Sequence, residues 1–200
     1  TIKPLVALYA LENDVVSPKL IIQCKGSIEF YGQKYHCWKE KGHGYMNLRS
    51  AIKQSCDIYF YEVARRLGVD RLAITSKQFG LGNKVLNQLN EEKNGVVPNT
   101  EWKKKNIGAN WFLGETLITG IGQGYFQSTP LQLCLMTAQI ANGGYKIKPR
   151  IIDDKYQLES IISEWRDEFV NKKSNLIKLF ENQENVKFLH DALYGATNEP

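Results

Sequence analysis

The sequence predicts a mixed α/β chain that is rich in helix and also contains a β-hairpin and short strands. Two long segments place apolar residues on a helical stripe, and a third is apolar almost all round, as in a buried helix. These segments are residues 3–16, 47–68 and 130–142. Residues 20–38 instead show short apolar runs bounded by turn residues, which is typical of strands. With 200 residues, of which 42% are hydrophobic, the chain can bury one core.

The charge and the composition argue against several classes of function. The net charge of +5 comes from lysines and arginines spread along the chain, whereas a nucleic-acid interface needs a concentrated basic stripe. We therefore expect no nucleic-acid partner. No apolar run approaches the roughly 20 residues of a membrane-spanning helix. The chain opens on Thr1 and ends on Pro200 without an initiator Met or a terminal motif, so we expect part of a longer protein.

The first predicted helix, residues 3–16, has Pro4 in its first turn, where the missing N–H costs little. Lys3 stands at the start of this apolar helix, which is the unfavourable end of the helix dipole for a cation. Two interpretations of Lys3 are open. Its amine could extend into solvent, or it could serve a catalytic site beside a nucleophile one turn earlier.

The strand region follows, with turns predicted at residues 25–26 and 32–33. Residues 39–46 are polar and rich in glycine, and they are expected to form a loop. This loop leads directly into the central helix.

The central helix is predicted over residues 47–68, with its first residue, an Asn, as the N-cap and its last residue, a Gly, as the end. Its apolar stripe is interrupted by three successive polar residues, Ser55, Cys56 and Asp57. Such groups are costly to bury without partners. The interruption therefore indicates a cleft or a site.

A further helix is predicted over residues 70–80, with Asp70 as its N-cap. Residues 81–115 show few apolar periodicities and are expected to form a long polar connection. The one tight run of lysines, residues 103–105, falls in this loop.

The last part of the chain contains one sharply defined helix start. Thr129 is expected to be the N-cap and Pro130 the first helical residue. Cys134 on this helix is expected to be buried as a small hydrophobic side chain. A short strand over residues 145–151 and two or three amphipathic helices within residues 158–196 complete the prediction.

Three cysteines and one histidine form a candidate metal site with the spacing C-x12-C-x5-H-x12-C, namely Cys24, Cys37, His43 and Cys56. Three thiolates and one imidazole are a sufficient set for a tetrahedral structural zinc. The spacing is not that of a short zinc finger, so two alternatives stay open. Cys24 and Cys37 could form a disulfide across the hairpin, or the cysteines could be reduced core residues.

Three glycines, Gly120, Gly122 and Gly124, have the spacing G-x-G-x-G. The dinucleotide-binding fingerprint is G-x-G-x-x-G, with an acidic residue about 20 positions further on, and the chain does not match it. We expect these glycines to allow a close backbone approach to a ligand or to another strand.

Lys-Pro at the start of an apolar helix, a Ser-x-Asp helix about 50 residues later and a Gly-Gln-Gly segment together resemble the penicillin-binding protein transpeptidases. The similarity is closest to the class B enzymes of penicillin-binding protein 2 type, which act in side-wall elongation, and it covers nearly the whole chain. The similar segments include TIKPLVALYAL, HCWKEKGHGYMNLRSAIKQSCDIYFYEVARRLGVDRL, FGLG, TGIGQGYFQSTPLQL and NGG.

The resemblance implies a role for each matching residue. Lys3 matches the Lys of the S-x-x-K motif, so the nucleophilic Ser would immediately precede Thr1. Ser55 and Asp57 match the S-x-N motif, with Asp where many relatives have Asn. On a continuous helix these two residues lie about 200° apart, so Ser55 is the better candidate for direct proton transfer with Lys3.

Other parts of the family's machinery are implied in the same way. The segment Gly122, Gln123 and Gly124 is expected to bind substrate, and the K-T-G strand would lie beyond Pro200. The resemblance also favours zinc at Cys24, Cys37, His43 and Cys56, because some relatives have a zinc site at these positions. Cys24 and Cys37 stand where some relatives have Asp. This zinc would be structural, with one ion per chain.

The fold implied is that of penicillin-binding proteins and serine β-lactamases, with residues 1–200 as a partial transpeptidase domain, mostly its helical subdomain. The implied activity is peptidoglycan cross-linking by acyl transfer from D-Ala-D-Ala stem peptides, and this segment alone would be inactive. Implied partners are stem peptides, β-lactams and a membrane glycosyltransferase, with the domain in the periplasm and its anchor in the inner membrane of a bacterium. The alternative functions are a zinc-stabilised scaffold without catalysis and a relative of the class A or class D β-lactamases.

Overall fold

The computed structural model describes residues 1–86, 90–149 and 177–199, together with residues 159, 160, 162, 163 and 166. Residues 1–86, 90–149 and 177–199 contain eight helices and four short strands. The helices are α1 Lys3–Glu12, α2 Leu48–Lys53, α3 Asp57–Leu67, α4 Val69–Gln78, α5 Thr100–Ile107, α6 Leu113–Gly120, α7 Pro130–Ala141 and α8 Gln183–Asn198. The strands are β1 Ile22–Cys24, β2 Ser27–Phe30, β3 Gln33–His36 and β4 Gly44–Met46.

Helix α1 lies in the middle of the core and packs against α2, α3, α4 and α8. It is buried on almost every side, which the apolar sequence predicted. The helix ends at Glu12, four residues before the predicted end. The Glu12 carboxylate accepts hydrogen bonds from the backbone N–H groups of Glu181 and Asn182, at 2.6 and 3.0 Å, just before α8 begins. A carboxylate at a helix N-terminus is favourable, so Glu12 ties the first helix to the last described one.

The strands form two separate two-stranded antiparallel sheets. Strands β2 and β3 form the predicted hairpin, in register from Ser27 opposite His36 to Phe30 opposite Gln33. Strand β1 pairs with β4, which lies in the segment predicted to be a loop, so that prediction was wrong for residues 44–46. The pairing is a long-range one, and a run of three residues contains too little periodicity to reveal it.

The central segment is not one helix, as the sequence predicted, but two. The N-cap prediction is confirmed, because Oδ1 of Asn47 accepts from the backbone N–H of Ser50 at 2.9 Å, and Gly68 ends α3 with φ +77°. Between them the helix breaks, because Ser55 adopts a left-handed conformation with φ +51° and Cys56 is extended. Cys56 then acts as the N-cap residue of α3.

The predicted long polar connection contains helix α5 and the first part of α6, so the prediction was wrong there. Helix α5 has the signals of a helix despite its polar sequence. Asn99 caps it by accepting from the backbone N–H of Trp102 at 2.7 Å, and Gly108 ends it with φ +75°. The predicted cap of the preceding helix, Asp70, instead lies in the first turn of α4 and accepts hydrogen bonds from the backbone N–H and hydroxyl of Thr100.

Helix α7 begins at Pro130 after the N-cap Thr129, as predicted, with a capping box completed by Gln132. Cys134 is exposed and not buried, because the buried face of this helix is formed by other residues. The strand predicted over residues 145–151 is reduced to a single bridge between Tyr145 and Lys178, and residues 150 and 151 lie outside the described part.

Helix α8 confirms one of the helices predicted within residues 158–196. Most of residues 158–176 lie outside the part that the structure describes. None of the helices in the described ranges has the length and apolar character needed to cross a membrane.

Candidate active site and metal centre

The first functional cluster forms where the start of α1 meets the break between α2 and α3. The Lys3 amine Nζ lies 2.6 Å from Oδ1 of Asp57, 2.9 Å from Oγ of Ser55 and 2.8 Å from the Ser55 carbonyl oxygen. The side chains of Lys3 and Asp57 are only 10% and 12% exposed. The structure therefore brings together the three residues that the sequence predicted as catalytic.

The break in the helix explains this convergence. On a continuous helix only one of Ser55 and Asp57 could face Lys3. Because Ser55 is left-handed and α3 starts afresh at Asp57, both side chains reach the same amine, which the geometry of a continuous helix did not predict. The Nζ atom also lies 5.7 Å from the centre of the Phe60 ring, on the apolar side of the site.

Asp57 is held from a second direction. Its other carboxylate oxygen, Oδ2, accepts a hydrogen bond from the backbone N–H of Trp38 at 2.8 Å. The attraction within a buried ion pair offsets the cost of desolvation only where the other hydrogen-bonding groups of the two side chains are also satisfied. Both oxygens of Asp57 are satisfied, one by the amine of Lys3 and one by the main chain.

The second cluster contains the four predicted metal ligands, whose ligand atoms all lie within 4.8 Å of one another. The Sγ atoms of Cys24 and Cys37 are each 3.5 Å from Nδ1 of His43. A tetrahedral zinc with Zn–S of about 2.3 Å and Zn–N of about 2.1 Å separates sulfur from nitrogen by about 3.6 Å, so the cluster fits a zinc ion. All four cysteines of the chain are free thiols, and the alternative disulfide between Cys24 and Cys37 is not formed.

Each ligand is placed by a different element. Cys24 ends β1, Cys37 follows β3, His43 precedes β4, and Cys56 starts α3. The main chain must fold tightly to bring them together. A Cβ atom on Gly42 would lie 2.2 Å from the carbonyl oxygen of Cys24, so this position requires glycine.

The environment of the cluster favours the neutral form of the Cys56 thiol unless a cation is bound. Burial raises the pKa of the Cys56 thiol above its ordinary value, and the nearby thiols of Cys24 and Cys37 raise it further. Burial also lowers the pKa of His43, with a contribution from Lys39. A divalent cation would supply the positive charge that thiolate ligands need.

The glycine segment predicted to bind substrate contacts the residue before Lys3. Gly122 packs against Ile2, the residue before Lys3, and a Cβ atom there would lie 3.2 Å from the Ile2 side chain. Gln123 and Gly124 are exposed. The structure thus places Gly122 against Ile2, and the role of this segment in binding substrate stays a prediction.

Sequence reasoning missed the roles of two residues, Trp38 and Lys103. Trp38 bridges the two clusters, and its position directly after Cys37 was the available signal. Lys103 was assigned to a polar loop but is only 3% exposed, and its Nζ donates to Oε1 of Glu115 at 2.5 Å and lies 4.6 Å from the centre of the Phe112 ring. No local pattern marks Lys103, because its partners are 7 to 12 residues away in sequence.

Comparisons with known proteins place this arrangement in a family. Residues 1–199 match the family model of the penicillin binding protein transpeptidase domain. The chain is 40% identical over 154 residues to the peptidoglycan D,D-transpeptidase MrdA of Acinetobacter baumannii, which is 76% of this chain and 23% of that protein. It is 35% identical over 154 residues to MrdA of Escherichia coli K12, again 76% of this chain and 24% of that protein. The chain thus spans about a quarter of the length of these curated relatives.

The fold agrees with solved structures of the same type. PBP2 of Pseudomonas aeruginosa aligns with a TM-score of 0.80 and 33% identity, over 98% of this chain and 44% of that one. PBP2 of Helicobacter pylori aligns with a TM-score of 0.81 and 32% identity, over 99% of this chain and 35% of that one. The predicted fold and the resemblance to penicillin-binding protein 2 are confirmed. The chain belongs to the penicillin-binding protein transpeptidase domain family.

Proposed function

We propose that this chain is part of a peptidoglycan D,D-transpeptidase of penicillin-binding protein 2 type, which cross-links stem peptides through a serine acyl-enzyme. The observation that carries the proposal is the buried Lys3 amine, whose three oxygen partners on Ser55 and Asp57 all lie within 2.9 Å. The names of the related transpeptidases support the same reaction. In this proposal residues 1–200 form the central part of the domain.

The nucleophile would be a Ser immediately before Thr1, three positions before Lys3. Residues three apart face the same side of a helix, so the hydroxyl and the amine would be adjacent. In its neutral form the Lys3 amine takes the hydroxyl proton while Oγ of the Ser attacks the carbonyl carbon of the penultimate D-Ala. The ammonium that forms donates hydrogen bonds to two oxygen atoms that already lie beside it, Oδ1 of Asp57 and Oγ of Ser55.

The second half of the acylation step needs a proton at the leaving amine. The Ser55 hydroxyl contacts Lys3 and can pass a proton from it to the terminal D-Ala, whose amide C–N bond breaks. The acyl group then passes to an amine on a neighbouring stem. Gly122, Gln123 and Gly124 would form a wall of the substrate cleft, and a K-T-G strand after Pro200 would complete it.

The cysteine and histidine cluster would hold one structural Zn²⁺ ion through Cys24, Cys37, His43 and Cys56. The two 3.5 Å distances from sulfur to Nδ1 support this ligand set. A zinc with four protein ligands supplies rigidity and has no open position for chemistry. Because Cys56 stands between Ser55 and Asp57, its ligation would fix the start of α3 and with it the catalytic side chains.

The complexes of the relatives support a set of partners. PBP2 of H. pylori is known in a complex with MreC, and PBP2 of P. aeruginosa in complex with WCK 5153. A relative with 28% identity and a TM-score of 0.75 belongs to a peptidoglycan synthase complex that coordinates polymerization and crosslinking. From the family resemblance the proposal also includes β-lactams as acylating ligands, a membrane glycosyltransferase as partner, and a periplasmic domain anchored in the bacterial inner membrane.

Labelling with a fluorescent penicillin tests this function. The full-length protein should be acylated, and peptide mass analysis should place the label on a Ser directly before Thr1. A Lys3→Ala variant should lose the label, whereas Lys104→Ala, at an exposed position of α5, should keep it. A full-length protein that takes no label would favour the zinc-stabilised scaffold instead, and a label on another residue would mean that the nucleophile is misplaced.

Metal analysis tests the zinc proposal separately. The purified protein should contain about one zinc per chain. Cys37→Ala or His43→Ala should lose the zinc and lower the melting temperature. A metal-free protein of equal stability would contradict the site.

A further inference from the structure

Trp38 is two-thirds exposed, at 63%, yet its main chain and its indole make hydrogen bonds to the helix break that contains Ser55 and Asp57. A side chain so exposed contributes little to the core. Its contacts therefore need another explanation, and two of them end on Asp57 and Ser55, the residues that bind the Lys3 amine.

The main chain of Trp38 fixes the orientation of Asp57. Its N–H donates to Oδ2 of Asp57 at 2.8 Å, while Oδ1 accepts from Nζ of Lys3 at 2.6 Å. Since the two carboxylate oxygens are held from different directions, the carboxylate cannot rotate away from the amine without losing one of these hydrogen bonds.

The indole of Trp38 holds the helix break itself. Its Nε1–H is shared between the carbonyl oxygens of Ser55 and Gln54, at 3.0 and 3.1 Å. The Ser55 carbonyl oxygen also accepts from Lys3 at 2.8 Å, so the indole and the amine meet on one atom. A left-handed Ser persists only where its surroundings hold it, and this hydrogen bond is part of what holds Ser55.

Trp38 is also joined to the metal-type cluster. It follows Cys37 directly, and its ring stands edge-on to the ring of His43, with 5.2 Å between the ring centres. It is therefore a direct link between that cluster and the group formed by Lys3, Ser55 and Asp57.

We propose that Trp38 is a positioning residue for the acylation step, in which its indole N–H holds the Ser55 peptide so that Lys3 faces both the nucleophile and Ser55. This inference rests on the proposed transpeptidase function. It requires the hydrogen bond of the indole, not merely the bulk of the ring.

The test compares two variants of the full-length protein. Trp38→Phe removes the indole, and replacement of Trp38 by 3-benzothienylalanine keeps its shape but removes the N–H. Acylation by fluorescent penicillin at increasing concentration separates the dissociation constant of the non-covalent complex from the first-order acylation rate. A lost hydrogen bond of ordinary strength should lower the acylation rate about threefold to tenfold in both variants. The dissociation constant and the zinc content should stay within about twofold of wild type.

Trp111→Phe is the matched control, because it also removes an indole hydrogen bond, to Oγ1 of Thr116 at 2.8 Å, but one that lies on other elements. Its acylation rate should not change. If the wild type is labelled but the acylation rate of Trp38→Phe is unchanged, the inference about Trp38 fails while the proposed function stands. A full acylation rate in the benzothienylalanine variant would have the same meaning. A wild type that takes no label would overturn the proposed function and this inference with it.

Discussion

Asp57 shows at the scale of a single residue how one carboxylate can serve both structure and chemistry. It balances the charge of a buried amine and accepts a main-chain hydrogen bond from Trp38. The sequence predicted the residue, because a carboxylate within an apolar stripe needs partners. The direction in which it points depends on the left-handed conformation of Ser55, for which the sequence contains no signal, since Ser has no preference for that conformation.

Removal of the Asp57 carboxylate should cost much stability, because it would leave the Lys3 ammonium buried without a counter-charge. We expect Asp57→Ala to lower the free energy of unfolding by about 3–5 kcal/mol. Asp57→Asn keeps one acceptor oxygen for the two donors, Lys3 Nζ and the Trp38 N–H, and should cost less than Asp57→Ala, about 1–3 kcal/mol. Chemical denaturation of the purified protein measures both values. An Asp57→Ala variant as stable as wild type would show that the pair contributes nothing to the fold.

At the scale of an element, the break between α2 and α3 predicts that Gly is more stable than Ala at Ser55, the reverse of the order inside a helix. Inside a helix, Gly is less stable than Ala by roughly 0.5–1 kcal/mol. At Ser55, where φ is +51°, Ala keeps the backbone strain and Gly removes it. We therefore expect Ser55→Gly to be more stable than Ser55→Ala by about 1 kcal/mol in thermal or chemical unfolding. If Ser55→Ala proved the more stable of the two, the helix would be continuous there.

A second prediction at this scale concerns the tight loop that brings the metal-type ligands together. Gly42 and Gly32 have almost the same φ, +77° and +75°, so an Ala side chain strains both backbones equally. A Cβ atom on Gly42 would strike the Cys24 carbonyl oxygen at 2.2 Å, whereas nothing lies within 4 Å of one on Gly32. We expect Gly42→Ala to lose bound zinc and Gly32→Ala to keep it, as measured by metal analysis. Equal zinc content in the two variants would contradict the assigned packing.

The elements differ in how well local sequence foretold them. The start of helix α7 was predicted to the residue, because Thr129 and Pro130 are strong start signals and the following residues are apolar. Helix α5 was missed because lysines dominate it and its signals, Asn99 and Gly108, lie within a polar stretch. Strand β4 was missed because only its long-range partner makes it a strand.

The attachment of helix α8 to α2 should depend on pH at the scale of the whole molecule. Arg49 on α2 binds both Asp191 and Glu199, and it is the first cause that lowers the pKa of Glu199 from 4.5 to about 2. A carboxyl whose pKa is lower in the folded state contributes stability above its ordinary pKa and loses it as the pH falls. The contribution of this network should therefore fade between pH 4.5 and about 2.

The measurement is the difference in melting temperature between wild type and Arg49→Met as a function of pH. The difference should be largest near neutral pH and should shrink as the pH falls through this window. High salt should also reduce it, because these side chains are at least partly exposed. A difference that stays constant down to pH 2 would mean that the ion pairs do not contribute to the attachment of α8.

The contacts of Glu12 mean that helix α1 is held by side-chain contacts at both of its ends. Its first residue, Lys3, holds the amine of the candidate active site, and its last, Glu12, holds the main chain just before α8. The ten residues from Lys3 to Glu12 form a helix about 15 Å long. We therefore expect that a ligand or partner that shifts α8 sideways also tilts α1. The tilt would change the position of the Lys3 amine relative to Ser55 and Asp57. In the proposed transpeptidase, a contact at α8 would then change the acylation rate without any contact to the substrate.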